Sequence, residues 1–249
     1  MDQQQFYDRL NDRMRRYGAS PLDQTQVITI TASPDYLASY DGQVAALVAC
    51  NLLGRLSPSV QVGFPDIAIH PRLPWAGRSL VEHALNGMRA ADPFGSYGTR
   101  QVAAGDFRFH LGPDGHNTAI HGSGWNAYIG TGPSPLSPIE ADVGIGAALA
   151  VVLGAAHLFR TRLGAITDSF ACNAWDWTDV PKRVEFSPVE VSLGHVMTAG
   201  LGSVGSAANY FLALATRDFR ASLIDHDGVG THNITRSPIF TDAHAKSDL

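Results

Sequence analysis

Cysteine is nearly absent from this chain: there are two in 249 residues, Cys50 and Cys172. Two distant cysteines build neither a disulfide framework nor a zinc site. Each reads as a free thiol, Cys50 in an apolar helical run and Cys172 in a loop beside Trp175. Long apolar runs are missing too. The nearest approach, residues 143–159, is broken by Gly144, Gly146, Gly154 and His157. It stays below the ~18 residues that suggest a membrane span, so it reads as a buried helix. The opening residues Asp2, Gln3, Gln4 and Gln5 hold no apolar signal-peptide core. These absences lead to the expectation of a cytoplasmic protein with no membrane partner. Charge is sparse as well. Charged residues make up 16% of the chain, the net charge is −5, and no block of one sign suggests a tail. That balance argues against nucleic acid as a partner.

What is present is enough apolar material, 45% of the residues, for a sizeable core in one large or two small domains. Phe6, Leu10, Met14 and Tyr17 recur at helical spacing, so a helix is expected over 6–17, ended by Gly18 and Pro21. The β-branched run 27–31 reads as a strand, 43–56 as a long helix opened by Asp41-Gly42, and 60–64 as a second strand. A helix over 75–91 and a turn-rich linker over 92–98 follow. Residues 107–111 alternate as a strand, and 118–121 and 127–129 are shorter strand candidates. Pro133, Pro135 and Pro138 lead into a helix over 143–163. Residues 164–188 read as a connector with room for a strand over 183–186, and the chain closes with strand 196–199, helix 206–214, strand 221–224 and a polar tail. Such alternation predicts an α/β, Rossmann-like fold with a mostly parallel sheet.

One layout occurs twice. Residues 27–66 and 196–225 both read strand, helix, strand, acid, with Asp66 and Asp225 at the ends. The second copy has Gly200-Leu201-Gly202-Ser203-Val204-Gly205-Ser206 between strand and helix, the context a nucleotide-binding fingerprint requires. A first glycine allows the tight turn, a second admits a phosphate to the backbone, and a third lets helix and strand pack closely. The first copy has Ser39-Tyr40-Asp41-Gly42 instead, without the first two glycines, and reads as a degenerate, non-binding copy. Two βαβ units can also look alike for no other reason than their shared topology.

Asp225 lies 20 residues after Gly205, the spacing at which an acid reaches a ribose hydroxyl. A plain NAD-binding unit needs no more. This chain adds Asp227, Asn233 and Arg236 within one short loop. Such a set suits a triphosphate: a guanidinium pairs with phosphate oxygens as a fork, and an amide donates to them.

With these residues in view, the sequence resembles the ThiF/MoeB/ubiquitin-activating family of ATP-dependent adenylyltransferases. The likeness covers residues 196–246. It rests on the glycine turn ending Gly205-Ser206, on Asp225-His226-Asp227, on Asn233-Ile234-Thr235-Arg236, and on the continuation Pro238-Ile239-Phe240 and Asp242. The resemblance implies binding of ATP with Mg2+ and adenylation of the C-terminal carboxylate of a ubiquitin-like or sulfur-carrier protein. It implies that Gly200, Gly202, Ser203, Gly205 and Ser206 hold the nucleotide together with Asp225 and Asp227. It further implies that Asn233 and Arg236 face the phosphates and that Lys246 fills the place of a lysine the family carries soon after that arginine. The family's magnesium-binding aspartate and, in some members, its catalytic cysteine come further along than Leu249, so a unit cut after its first βαβ is expected. Members work as dimers or pseudo-dimers of an active and an inactive unit, and some send an arginine from an N-terminal helix to the phosphates, a role open here to Arg9, Arg13 or Arg16. The expected organisation is an N-terminal helix over 1–24, a degenerate Rossmann-like unit over 25–165, a connector over 166–189 and the first part of a ThiF-type unit over 190–249.

Two other readings stand beside this one. An NAD(P)-dependent oxidoreductase uses the glycines and Asp225 but leaves Asn233 and Arg236 idle. A non-catalytic scaffold half binds a partner only. His110, His116 and His121 match no zinc spacing and read as surface or hydrogen-bonded histidines. Ser203 and Ser206 lack a base to make them nucleophiles and read as hydroxyl donors or caps. Trp75, Trp125, Trp175 and Trp177 read as core or interface residues.

Overall fold

Asp2 starts the first helix, α1 (Gln3–Leu10), through a capping box: its carboxylate accepts the Gln5 N–H and the Gln5 side chain accepts the Asp2 N–H. The computed structural model describes residues 1–11, 26–115, 118–136, 143–162, 169–179, 181, 184, 191–216 and 218–246. The C-cap of α1 is Asn11, so the helix ends earlier than its apolar spacing suggested, and Met14 and Tyr17 lie outside the described residues. Phe6 and Tyr7 are buried against Ala91 and Ile234.

The β-branched run forms β1 (Ile28–Ala32). A short helix that the sequence did not announce, α2 (Pro34–Ala38), follows with proline in its first turn. The long helix α3 (Tyr40–Leu56) starts earlier than expected because Ser39 Oγ accepts the Gly42 N–H at 3.0 Å. After β2 (Ser59–Val62) comes α4 (Leu80–Ala91). It begins at Leu80 rather than near Trp75, since Ser79 Oγ accepts the Glu82 N–H at 2.9 Å and sets the start there. The expected linker contains a strand, β3 (Ser96–Thr99). Then follow β4 (Phe107–Leu111), β5 (Ala119–Ser123), β6 (Asn126–Gly130), α5 (Ile145–Arg162) and β7 (Phe170–Asn173). β7 lies in the expected connector and makes Cys172 a buried strand residue instead of a loop residue. Residues 183, 185 and 186 of the other strand candidate, 183–186, lie outside the described residues.

These strands build one sheet in the order β3-β2-β1-β4-β5-β6-β7. Neighbours are parallel from β3 to β5, and β6 and β7 add on antiparallel. The fold is α/β, with a mostly parallel, Rossmann-like sheet flanked by helices. Ile28, Ile30, Val60, Val62, Phe109 and Leu111 join Leu47, Leu53, Met88 and Val151 in one apolar core. In the alternate positions, Thr31 Oγ1 and His110 Nδ1 meet at 2.9 Å, and Arg108 donates to Thr31 Oγ1 at 3.1 Å.

Asp41 lies in the first turn of α3 and ties it to two later segments. It is 1% exposed, and its carboxylate accepts the N–H groups of Gly144 at 2.7 Å and Gly124 at 3.0 Å.

His121 is buried on β5, its Nδ1 2.8 Å from Ser134 Oγ and its ring edge-on to Tyr36. Burial pushes its imidazole down to about 4, and the Asp114 charge opposes that only in part. The unfolded chain binds this proton near 6.5 and the folded chain only near 4. Stability from the neutral ring is therefore complete above about pH 6.5 and is lost as pH falls toward 4. Urea unfolding at pH 7.5 and pH 4.5 is expected to differ by about 2 kcal/mol more in the wild type than in His121→Asn. Equal pH dependence in the two would clear His121 of the effect.

The second βαβ unit comprises β8 (Ser192–Ala199), α6 (Ser203–Ala215) and β9 (Asp218–Ile224), followed by the short helices α7 (Thr231–Ile234) and α8 (Asp242–Lys246). β8 and β9 pair in parallel as a sheet of their own and do not extend the seven-stranded one. The unit meets the rest of the chain through helices and not through strand pairing. Tyr40 on α3 donates to the Leu214 carbonyl, and Tyr210 on α6 donates to the Leu47 carbonyl at 3.4 Å. β8 stays exposed along most of its length, with Met197 at 69%. Among the described residues, no helix is long and apolar enough to cross a membrane.

Candidate functional site

The glycine turn joins β8 to α6, and its three glycines differ in surroundings. Gly200 has φ +88°, a left-handed conformation that favours glycine, and its N–H donates to the Ile224 carbonyl at 2.8 Å. Gly202, the N-cap of α6, faces open space: a β-carbon there would meet nothing within 4 Å. Gly205 is the opposite, since a β-carbon would stand 1.8 Å from the Gly200 carbonyl oxygen. Tight turn, open approach and close packing thus fall in the order that a phosphate-binding turn requires.

The first bond of α6 runs from the Ser206 N–H to the Gly202 carbonyl at 3.0 Å. The N–H groups of Ser203, Val204 and Gly205 have no carbonyl to reach inside the helix, and Gly202 offers no side chain to cap them. With the positive end of the helix dipole, they suit an anion such as a phosphate. Val204 is 84% exposed, so the turn is accessible. Ser203 lies half-buried at this start. Ser206 is buried one turn in, with its hydroxyl donating to the Ser203 carbonyl at 3.2 Å, so its contribution is to brace the turn from within.

Asp225 follows β9 and returns to the turn. Its carboxylate accepts the Leu201 N–H at 2.5 Å and the Asp227 N–H at 3.0 Å. The Asp227 bond first, then the Leu201 bond, hold it below the usual carboxylate range. The acid expected to meet a ribose is therefore ionised and fixed beside the glycines. Asp225, His226 and Asp227 are exposed and place potential metal-ligand atoms within 4.8 Å of one another.

Asn233 and Arg236 form a second group, on α7 and just after it. Arg236 Nη2 donates to Asn233 Oδ1 at 2.7 Å, and the Arg236 N–H donates to the Asn233 carbonyl at 3.2 Å. Both are half-buried. Lys246 is not joined to this group by its ammonium, which pairs with Asp242 one turn back on α8. Arg9 is exposed on α1, which packs against α7 through Phe6, Tyr7 and Ile234; Arg13 and Arg16 lie outside the described residues. His110 bonds Thr31 and Asp114, and His121 bonds Ser134, as expected for hydrogen-bonded histidines. Trp125 is buried, whereas Trp175 and Trp177 are exposed, Trp177 at 73%.

Sequence reasoning missed Arg55 and Asn51 on α3. Arg55, 5% exposed, donates to the carbonyls of Ile234 at 2.8 Å, Phe240 at 2.6 Å and Pro238 at 2.6 Å, and through Nε to Asn51 Oδ1 at 2.8 Å. Asn51 Nδ2 also donates to the Pro238 carbonyl, at 3.1 Å. The available signal was a guanidinium in an otherwise apolar helix, a group that is buried only with partners. No protein-family model matches the chain, and no curated protein matches it.

Proposed function

We propose that this protein is an ATP-dependent adenylyltransferase of the ThiF type, acting on the C-terminal carboxylate of a ubiquitin-like or sulfur-carrier protein. The observation that carries the reading is the glycine turn with Asp225 bonded to it, followed on the same unit by the coupled pair Asn233 and Arg236. A cytoplasmic setting goes with ATP as co-substrate. The packing of α6 and the following segment on a unit that has Ser39-Tyr40-Asp41-Gly42 in place of the glycine turn is consistent with an active and an inactive unit within one chain.

In this reading Gly202 lets the phosphates approach the backbone, and the first amides of α6 hold them. Asp225 exchanges its backbone partners for ribose hydroxyls. Magnesium, bound with the triphosphate, offsets part of its charge. Arg236 and Asn233 meet the charge that develops as a carboxylate oxygen bonds to the α-phosphorus and the bond to the β-phosphate oxygen breaks, releasing pyrophosphate. Because Asn233 already holds the guanidinium, little reorganisation is needed at that moment.

The test is ATP–pyrophosphate exchange with a ubiquitin-like carrier. Arg236→Ala is expected to lower the exchange rate about 10²–10³-fold, the usual effect of removing one preorganised donor. Exchange at the wild-type rate in that variant would remove Arg236 from the site. Protection by NADH and not by ATP would favour an oxidoreductase, for which the three glycines and Asp225 also suffice. The absence of any thermal shift with Mg-ATP would favour a scaffold role.

A further inference from the structure

We propose that Arg55 is a positioning residue for the nucleotide site: from the first unit, it holds the main chain that carries Asn233 and Arg236 in the second. The assignment rests on the adenylyltransferase reading above. Its basis is geometric. One guanidinium collects the carbonyls of Ile234, Pro238 and Phe240, so that the segment arches around a single buried cation. Arg236 lies inside that arch in sequence, two residues after the first clamped carbonyl and two before the second. Asn51 completes the clamp from the preceding turn of α3, touching both the guanidinium and the Pro238 carbonyl.

The partners named are carbonyls and one amide, so the clamp acts on backbone and not on a counter-ion. Burial lowers the guanidinium to about 10, which leaves it charged at neutral pH. A lysine cannot reproduce the clamp, because an ammonium is a point donor and these acceptors are gathered by a planar fork. Ile234 is held a second time, its side chain among Phe6, Tyr7 and Ala91. The coupled Asn233 and Arg236 side chains thus project from a backbone held at Ile234, Pro238 and Phe240.

The test uses the full chain and two ligands, Mg-ATP and adenosine, titrated calorimetrically into wild type, Arg55→Lys, Asn51→Ala and Arg236→Ala. Wild type is expected to prefer ATP. Arg236→Ala is expected to lose most of that preference. Arg55→Lys should weaken ATP binding about tenfold or more while adenosine affinity stays within about twofold. Asn51→Ala should show the same selective loss at smaller size and guards against an Arg55 variant that fails to fold. A purely structural role would weaken both ligands together, and that result would overturn the assignment. So would an Arg55→Lys protein that prefers ATP as strongly as wild type. A wild-type chain with no affinity for Mg-ATP would overturn the functional reading and the role of Arg55 together. Amide exchange separates the cases further: faster exchange confined to residues 231–241 in Arg55→Lys is expected, and unchanged exchange there would overturn the clamp itself.

Discussion

Asp41→Ala is expected to destabilise the protein by about 3 kcal/mol or more. The substitution removes one buried carboxylate and leaves the N–H groups of Gly124 and Gly144 without that acceptor. Each buried donor left unsatisfied costs roughly 1–3 kcal/mol, and bonds to a charged acceptor lie at the high end. The loss is concentrated because Gly124 closes the β5–β6 turn and Gly144 leads into α5, so a single side chain joins three elements. Asp41→Asn should fall between, since its amide keeps one acceptor oxygen and turns an NH2 group toward the other donor. Urea unfolding monitored by circular dichroism measures both. A midpoint unmoved by Asp41→Ala would mean that water or another group takes over the two amides.

The two glycines inside the α6 start should separate folding from binding. Gly202→Ala places a methyl group in open space at φ −57°, outside the left-handed region that favours glycine. Stability is expected to stay within about 0.5 kcal/mol, as for surface substitutions. Stabilisation by saturating Mg-ATP, of order 2–3 kcal/mol for wild type at ~100 times its dissociation constant, should be lost, because the methyl group occupies the phosphate's approach. Gly205→Ala acts the other way. Its methyl group would stand 1.8 Å from the Gly200 carbonyl oxygen, which is backbone and cannot rotate aside. Overpacking of this kind costs about 1–3 kcal/mol, and it pushes α6 off β8, so folding and binding should fall together. Thermal unfolding of the three proteins with and without Mg-ATP reads out all of this. A Gly202→Ala protein stabilised by Mg-ATP as much as wild type would end the phosphate-binding interpretation of the turn.

The central strands were legible because their signals are local. Residues 27–31 are β-branched, residues 107–111 alternate, and both lie within one residue of the strands observed as β1 and β4. The glycine turn was legible for the same reason: the sign of φ at Gly200 and the close contact at Gly205 are demands on adjacent backbone that glycine meets alone. Helix starts were read less well, because Ser39 and Ser79 set them through single side-chain bonds that shift a boundary without changing the apolar pattern. Strands β3 and β7 were missed as strands. Ser96–Thr99 and Phe170–Asn173 have mixed composition, and they are extended because β2 and β6 offer them edges to pair with.

By itself the sequence determined an α/β chain with a glycine-rich strand–helix turn and an acid 20 residues beyond its last glycine, since periodicity, propensity and glycine geometry act over a few neighbouring residues. Only the tertiary structure decided that β8 and β9 remain a separate sheet, that Asp41 joins the start of α3 to Gly124 and Gly144, and that Arg55 holds a segment about 180 residues away in sequence. Those outcomes depend on which buried donors and acceptors meet once the helices pack, and a buried polar group takes the partner that packing brings to it, however distant along the chain.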